Sequence, residues 1–523
     1  MDSLLRPEVT GSSEPVTLSF QREMQKISGQ AAMFLAGTVF TFGTGFFFKI
    51  YVARVLGSHL LGLYALGMTV VSIFGLFASL GLPNAAARFV AVYNSAGQAD
   101  RLRSFLWSGS LLVGCVSALL GVLVIVGRDL IAEGLYHESA LAGYLPLFGL
   151  MLPLGVLGFF FSQVLVGYQN VTRTTIINSF IGGSVSMVLA WVLFVLGLGL
   201  WGYVFAQVIS GLVVLILMAW SVWRLIPAGV QRPRTYPALI LEREVVCFSF
   251  SMIGINALEF LLGQSQRIVL GVYLEASQLG IFSVAAAISG FVPLLLQATN
   301  SIFAPVIAGL HARGEKEVLR RLFQTLTKWI LGLTAPLVIV IVLFAPALMG
   351  IFGPEFRAGW LVVVIASIGQ LVNCGVGSVG YLLIMSGHQN RLVRVQAYTG
   401  GLTLISSLLV VPLWGILGAA AVGALTTLVS NLWYLGEVRR VLNFVPYNRS
   451  YLRLSGPLAA ATVVAVLVQQ SAIGTDYPQW SVMLVTLLLV YVVFVFGSLA
   501  FGLDDDDRLI VKTIWARVKG LAS

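Results

Sequence analysis

Two basic residues stand where this sequence is otherwise apolar. Lys49 lies about 20 residues into one apolar run, and Arg267 lies at a matching place in another run, 218 positions later. A charged side chain inside a membrane-spanning segment costs on the order of 3 kcal/mol, so such residues are functional candidates. Two cations in a shared cavity would suit a phosphate or diphosphate, which they would bind through charge-assisted hydrogen bonds. The alternative is that both side chains reach from helix ends to the membrane interface.

Polar residues accompany the second of these cations. Gln264 and Gln266 stand beside Arg267, and a helix end that faces lipid would not need them, so both are predicted to contact substrate. Glu259 is a carboxylate well inside the same apolar run, about 12 Å from Arg267 along a helix axis. In a low dielectric it can bind and release a proton, which predicts an ion-coupling role. A structural ion pair or a cap near a helix break is the alternative for Glu259.

Two further arginines lie at the ends of apolar runs. Arg54 follows the outer end of the first run, and Arg88 follows the inner end of the second. Both are candidates for substrate contact. Anchoring at the membrane interface explains their positions equally well.

The matched positions of the two cations belong to a duplication. The sequence GYQN at 167–170 recurs as GHQN at 387–390, 220 positions later, and Leu102-Arg103 recurs as Leu319-Arg320. Similar offsets in one order predict a repeated unit of about 200 residues. In a membrane protein, two such units commonly face each other across a substrate path.

Composition determines the class of protein and excludes several functions. Hydrophobic residues make up 58% of the 523 residues and charged residues 10%, about half the usual charged share. The net charge of +10 resides mostly in short loops, which indicates membrane topology and argues against a nucleic-acid partner. The four histidines and three cysteines are isolated, and no phosphate-binding loop occurs, so neither a metal site nor a cofactor is predicted.

The apolar runs predict fourteen membrane spans, each long enough to cross about 30 Å of hydrocarbon. All are predicted to be helices, because a chain in lipid must satisfy its own backbone hydrogen bonds. The predicted spans are 29–53, 60–82, 104–126, 140–166, 173–197, 200–222, 244–273, 278–302, 322–350, 358–386, 392–413, 415–437, 454–472 and 480–502.

The basic residues orient these spans. With the N-terminus in the cytoplasm, all but five of the 31 Lys and Arg residues fall on the cytoplasmic side. This predicts a multi-pass protein of the cytoplasmic membrane with both termini in the cytoplasm. An even number of spans in each half makes the repeats parallel, related by an axis along the membrane normal.

The resulting fold class is an all-α integral membrane protein. It has about fourteen transmembrane helices, in which two parallel six-helix repeats form a central cleft and a two-helix hairpin follows. The predicted segments are a cytoplasmic N-terminal segment (1–28), the first bundle (29–226), a cytoplasmic linker (227–243), the second bundle (244–440), helices 13 and 14 (441–503) and an amphipathic cytoplasmic tail (504–523).

Several short motifs carry a family resemblance. They are ARVLG at 53–57, GLY at 62–64, GLP at 81–83, RFV at 88–90, GHQN at 387–390 and GILGAA at 415–420. Their order, over about residues 20–440, resembles the polysaccharide biosynthesis or oligosaccharide flippase family. These are Wzx-like proteins of the multidrug/oligosaccharidyl-lipid/polysaccharide exporter superfamily.

The resemblance implies a function that composition alone does not indicate. Such proteins flip polyprenyl-diphosphate-linked sugars across the cytoplasmic membrane by alternating access. The substrate-contact candidates that it implies are Lys49, Arg54, Arg88 and Arg267, and the extra hairpin would guide the lipid tail. Many relatives carry an acid immediately before the arginine of the seventh span, whereas Gln266 stands there in this sequence. A coupling mechanism borrowed from those relatives therefore does not transfer directly.

The expected function is a flippase for a lipid-linked oligosaccharide in cell-surface polysaccharide biosynthesis, not an enzyme. Its partners would be that substrate, membrane lipid and a glycan polymerase or other assembly proteins. Three alternatives stay open: a cation-coupled multidrug exporter of the same superfamily, an integral polymerase or ligase, and a scaffold for polysaccharide assembly. An exporter of cationic drugs should present acidic sites, and an enzyme should present a large outer loop.

Overall fold

Helices form nearly all of the described chain. The computed structural model describes residues 16–226, 241–471, 478–500, 504 and 507, and no strand occurs among them. The first half contains α1 (Val16–Ser79), α2 (Leu82–Ser95), α3 (Ala99–Val126), α4 (Ser139–Gly167), α5 (Val171–Val195) and α6 (Gly199–Leu225). The second half contains α7 (Arg243–Tyr273), α8 (Ala276–Ser289), α9 (Leu294–Ala312), α10 (Lys316–Leu343), α11 (Ala345–Gly350), α12 (Trp360–Val376), α13 (Val379–Met385) and α14 (Gln389–Leu442). The C-terminal pair is α15 (Ser455–Ser471) and α16 (Gln479–Ala500).

Four predicted segments lie partly outside the described residues. The segment 441–503 is described except at 472–477 and 501–503. The segment 1–28 is described from Val16 onward, and the linker 227–243 only at its last three residues. The tail 504–523 is described only at Asp504 and Asp507. The segment boundaries as a set stay predictions.

The two longest helical ranges, α1 and α14, are hairpins. Gly57 in α1 (φ 73°) and Gly415 in α14 (φ 58°) leave the helical conformation, and glycine adopts positive φ without steric cost. The Thr403 hydroxyl donates to the Thr426 hydroxyl at 3.0 Å, although a continuous helix would separate these residues by about 35 Å. The chain therefore folds back at Gly415.

The number of spans depends on how these hairpins are counted. Within the described ranges, 11 helices are long and apolar enough to cross a membrane, or 12 if α8 and the start of α9 form one bent span. Each of the two hairpins is a single helix in that count. The prediction of an all-helical membrane protein is confirmed, and the count of fourteen stays a prediction.

Two predicted spans are interrupted by residues that break helices. The predicted span 278–302 bends by 55° between α8 and the first part of α9, where Pro293 has no N–H to donate. The predicted span 358–386 is interrupted at Gly377, which has a φ of 77° and separates α12 from α13. Apolar composition continues through both breaks, so hydropathy alone does not reveal them.

A reciprocal contact joins the two halves at one end of the molecule. A side chain at Gly62 would overlap the carbonyl oxygen of Ala276, and one at Gly280 would overlap that of Ser58. Gly62 and Gly280 are 218 positions apart, as are Ser58 and Ala276, so the two contacts are equivalent under the repeat. Halves related by a two-fold axis make contacts of this reciprocal kind. We call this contact the glycine crossing.

The C-terminal pair packs on α10 of the second half. Val340 of α10 and Phe344, which directly follows α10, form an apolar cluster with Ala461, Val490 and Phe494 of α15 and α16. Polar contacts supplement this apolar cluster. One such contact is the Tyr491 hydroxyl, which donates to the carbonyl oxygen of Leu333 at 2.8 Å.

A buried ion pair ties the start of the tail to α10. The ammonium of Lys328 lies 2.7 Å from a carboxylate oxygen of Asp507, and both side chains are less than a tenth exposed. The indole N–H of Trp329 donates to the other carboxylate oxygen at 3.0 Å. Apart from Asp504 and Asp507, the predicted amphipathic tail lies outside the described residues, and at Asp507 its aspartate run contacts α10.

Replacing Asp507 with alanine is expected to destabilise the protein measurably. Removing one member of a buried ion pair costs about 3–5 kcal/mol, because the Lys328 ammonium would remain buried without its partner. Thermal unfolding in detergent should show a drop in Tm of several degrees. Asp504→Ala is the matched control, since the Arg453–Asp504 contact is longer, at 3.8 Å, and more exposed, and such pairs contribute about 0–1 kcal/mol. Equal Tm values for the two variants would contradict a stabilising pair.

Candidate functional site

A cavity of about 510 Å³ lies between the first half and the start of the second. The two arms of α1 line it, together with α5, α6, α7 and α8. The hairpin turn at Gly57 brings both arms of α1 to one wall. The polar and charged residues that line this first cavity are Lys49, Tyr64, Thr69, Ser72, Ser186, Tyr203, Gln207, Gln264, Arg267 and Ser283.

Lys49 and Arg267 are brought together in the first cavity. The ammonium of Lys49 donates to the carbonyl oxygen of Ser283 at 2.9 Å, which links the first half to α8. The guanidinium of Arg267 donates to the side-chain oxygen of Gln264 at 3.2 Å. The two cations thus enter one space from opposite halves.

The first cavity has positive charge without a neutralising carboxylate. No Asp or Glu occurs among its described lining residues, and no ion pair is present at Lys49 or Arg267 in the described part of the chain. Neutral oxygen atoms accept one hydrogen bond from each cation. The remaining N–H groups of Lys49 and Arg267 stay available. A bound anion would gain charge-assisted hydrogen bonds, which are about twice as strong as neutral ones.

Residues beyond the predicted substrate contacts complete the first cavity. The rings of Tyr64 and Tyr203 lie 4.8 Å apart, and the Ser186 hydroxyl donates to the side-chain oxygen of Gln207 at 3.0 Å. Gln207 was recognisable as a polar residue within a span. The tyrosines were not, because tyrosine is common in apolar helices and carries no formal charge.

A second cavity, of about 410 Å³, lies inside the second half between α7, α8, α12 and α14. Arg267 lines both cavities, whereas Gln264 lines the first and Gln266 the second. The Gln266 amide packs against Gly423, where any side chain would overlap it. The predicted cluster of Gln264, Gln266 and Arg267 is therefore divided between two spaces.

Arg54, Arg88 and Glu259 line neither cavity. The Arg54 guanidinium donates to the carbonyl oxygen of Ile351 at 2.7 Å near the glycine crossing. Arg88 is exposed and lies 4.8 Å from the ring centroid of Phe248. These contacts are of the interfacial, anchoring kind, and a substrate role for either arginine stays a prediction.

Glu259 is exposed on α7, with no ion pair in the described part of the chain. Helix geometry places it on the same face as Gly263 and Gln266, which line the second cavity. Glu259 therefore lies next to that cavity, about two helical turns before Arg267.

Contacts between the halves occur at both ends of the first cavity. The glycine crossing lies at one end, where the Glu138 carboxylate accepts from the backbone N–H of Ala276 at 3.0 Å. Toward the other end, the Asn256 side chain donates to Asn84 at 3.3 Å. A substrate can enter or leave the first cavity only if the contacts at one of its two ends separate.

Two apolar cavities lie against the C-terminal pair. One, of about 580 Å³, is lined by Phe46 of α1, by Phe291 between α8 and α9, by α10, and by Tyr491 of α16. The other, of about 260 Å³, lies between α10 and α16 beside the Lys328–Asp507 pair. No cluster of three or more His, Cys, Asp or Glu residues that could hold a metal ion occurs in the described ranges.

Sequence comparisons match this architecture to known proteins. The family model described as polysaccharide biosynthesis protein matches residues 30–311. The succinoglycan biosynthesis transport protein ExoT of Rhizobium meliloti is 26% identical over 82% of this chain and 83% of its own length. The probable low-salt glycan biosynthesis flippase Agl15 of Haloferax volcanii is 22% identical over 83% of this chain and 87% of its own.

Solved structures share the fold. The lipid II flippase MurJ, in an inward closed conformation, superposes with a TM-score of 0.72 over 90% of this chain and 98% of its own, at 14% identity. A multidrug resistance transporter of the MATE family, facing inward, superposes with a TM-score of 0.60 over 81% of this chain and 99% of its own, at 15% identity.

Proposed function

This chain belongs to the polysaccharide biosynthesis protein family, and we propose that it is a flippase for a polyprenyl-diphosphate-linked oligosaccharide. Two relatives are named as a glycan transport protein and a probable flippase, and neither name is that of an enzyme. The proposed reaction is movement of the headgroup across the membrane, with no bond made or broken.

The observation that carries the proposal is the pair of cations in the first cavity. Lys49 and Arg267 line it from opposite halves, and no carboxylate lines it within the described residues. A diphosphate between them would gain hydrogen bonds to both halves at once. A cationic drug would meet positive charge there, which disfavours the multidrug-exporter alternative.

Apolar cavities beside the headgroup site support a lipid-linked substrate. The cavity lined by Phe46, Phe291 and Tyr491 runs between α1, α8 and the C-terminal pair. The polyprenyl chain could remain in this apolar environment while the diphosphate enters the first cavity. Hydrocarbon in an apolar groove avoids contact with water, which is worth about 0.8 kcal/mol for each buried CH₂ group.

The orientation that we propose follows the distribution of basic residues. Both termini lie in the cytoplasm, and the glycine crossing closes the outer side. Flipping then requires the contacts near Asn84 and Asn256 to separate for loading and the glycine crossing to separate for release. The proposed location is the cytoplasmic membrane.

A reconstituted flipping assay tests the function. Vesicles with and without the protein would contain a polyprenyl-diphosphate-linked oligosaccharide that carries a fluorophore on its glycan. An impermeant reductant should quench the inner-leaflet label only where the protein is present. A phosphatidylcholine carrying the same fluorophore is the control. Equal quenching of both lipids, or of neither, would contradict a glycan-lipid flippase.

We also propose that Glu259 couples flipping to a proton gradient. It is a carboxylate within an apolar helix, on the face that continues to the second cavity. In the same vesicles, a pH gradient should accelerate flipping by the wild type, and Glu259→Gln should abolish that acceleration while leaving basal flipping intact. Glu133→Gln, at an exposed carboxylate that lines neither cavity, is the matched control. An unchanged response in Glu259→Gln would rule out coupling through this residue.

A further inference from the structure

We propose that the second cavity is a binding subsite for the sugar part of the substrate, while the first cavity holds its diphosphate. This inference rests on the proposed function, which it deepens by giving each part of the headgroup its own place. The subsite lies inside the second half of the protein only, so the two repeats would contribute unequally to recognition.

The chemistry of the second cavity suits hydroxyl groups. Arg267 is its only charged lining residue among those described, and neutral amides and hydroxyls supply most of the remaining polar surface. Amide side chains both donate and accept hydrogen bonds, as sugar hydroxyls do. The amide side chains of the second cavity are those of Gln266, Gln370, Asn373 and Asn431.

Several of these amides have a donor or acceptor group for which no hydrogen bond is described. The Asn373 N–H donates to the side-chain oxygen of Gln370 at 3.4 Å, which leaves the Gln370 amino group with no described partner. The Asn431 amide donates to the carbonyl oxygen of Thr427 at 2.8 Å, and its own oxygen accepts no described hydrogen bond. No described hydrogen bond involves the Gln266 side chain. A ligand rich in hydroxyls could satisfy all three.

The repeat equivalent of the second cavity is shared between the first cavity and a neighbouring space in the first half. Gly45, Phe48 and Lys49 of the first cavity lie 218 positions before Gly263, Gln266 and Arg267 of the second cavity. A cavity of about 420 Å³ between α4, α5 and α6 is lined largely by glycine and apolar residues. Its polar groups are mostly paired with one another: Ser186 donates to Gln207 at 3.0 Å, and Ser210 donates to the carbonyl oxygen of Gly182 at 2.8 Å. The first half has Phe48 where the second has Gln266, and Gly211 where the second has Asn431, so the repeat does not supply a second subsite with the same amides.

Arg267 connects the two parts of the proposed site. It lines both cavities, so a diphosphate that contacts its guanidinium lies at the boundary between them. A sugar attached to that diphosphate can then extend past Gln266 into the second cavity. The volume of about 410 Å³ lies within the range of about 300–1,000 Å³ that is usual for small-molecule sites.

The test compares two probes on the purified protein in lipid nanodiscs. One probe is polyprenyl diphosphate without sugar, and the other is the same lipid carrying an oligosaccharide. The double variant Gln370→Met and Asn431→Leu removes amide groups at nearly constant volume. It should weaken binding of the sugar-bearing probe roughly tenfold and leave binding of the bare diphosphate unchanged. Asn178→Leu, in the first-half cavity, is the matched control and should change neither affinity.

The outcomes separate this inference from the proposed function. Failure of the wild type to bind either probe would overturn both. Binding of both probes with an unchanged affinity ratio in the double variant would overturn the sugar subsite alone. A loss of sugar selectivity in Asn178→Leu instead would place the sugar in the first half and also overturn it. Equal Tm values for the wild type and the double variant would show that the variant remains folded.

Discussion

Replacing Arg267 with alanine is expected to slow flipping at least tenfold, and Lys49→Ala is expected to do the same. A hydrogen bond to a charged group is worth about 1.5–3 kcal/mol, and about 1.4 kcal/mol corresponds to a factor of ten. Both residues line the first cavity without a carboxylate partner, so each change removes positive charge that nothing else there replaces. The initial quenching rate of the labelled lipid in vesicles measures the effect.

Two further variants separate a site effect from a general charge effect. Arg267→Lys keeps the charge but loses the planar fork of donors, so it should retain part of the activity. Arg320→Ala removes an exposed cation that pairs with Glu317 on the surface of α10, and flipping should stay at the wild-type rate. Normal flipping by both Arg267→Ala and Lys49→Ala would eliminate the cavity as the diphosphate site.

Placing a methyl group at Gly62 or Gly280 should hold the protein open at the glycine crossing. In each case the new Cβ would overlap a backbone carbonyl oxygen of the other half, that of Ala276 or Ser58, and backbone cannot move aside as a flexible side chain can. The closed arrangement is then disfavoured. The three atoms nearest to each new Cβ all belong to the other half, so packing within a half is not directly disturbed. Alternating access would fail, so Gly62→Ala and Gly280→Ala should each lose most flipping.

Thiol labelling in cells detects this open state directly. The three native cysteines would be replaced, and a cysteine introduced at Leu61, a buried residue that lines the first cavity near the crossing. An impermeant thiol reagent applied from outside should label it slowly in the otherwise wild-type protein and rapidly with Gly280→Ala. Gly254→Ala is the matched control, because a side chain there meets no atom within 4 Å. Equal labelling in all three proteins would exclude the crossing as the outer closure.

Much of the architecture was predictable because it depends on local composition. Long apolar runs in lipid must be helical, since no water is present to satisfy the backbone. The duplication was visible as recurring residues such as those at 167–170 and 387–390. Lys49 and Arg267 stood out for the same local reason, because a cation within an apolar run needs no structure to be noticed.

The sharing of residues between cavities was not predictable in this way. Gln264 and Gln266 are two positions apart, and their separation into different cavities depends on how α7 is rotated against both halves. Arg54 and Arg88 carry the same charge as Arg267, yet they contact a carbonyl oxygen and an aromatic ring outside the cavities. Residue type and spacing along the chain cannot distinguish an arginine that lines a cavity from one that lies outside it.

The sequence by itself determined the helical membrane class, the family resemblance and the two cations worth testing. Each follows from residue type and period, which are properties of neighbouring residues along the chain. Only the tertiary structure decided that Gly62 and Gly280 approach the backbone of the opposite half, and that Gln266, Gln370, Asn373 and Asn431 line one cavity in the described part of the second half. These depend on which helix faces meet, and that choice is made by packing between residues far apart in sequence.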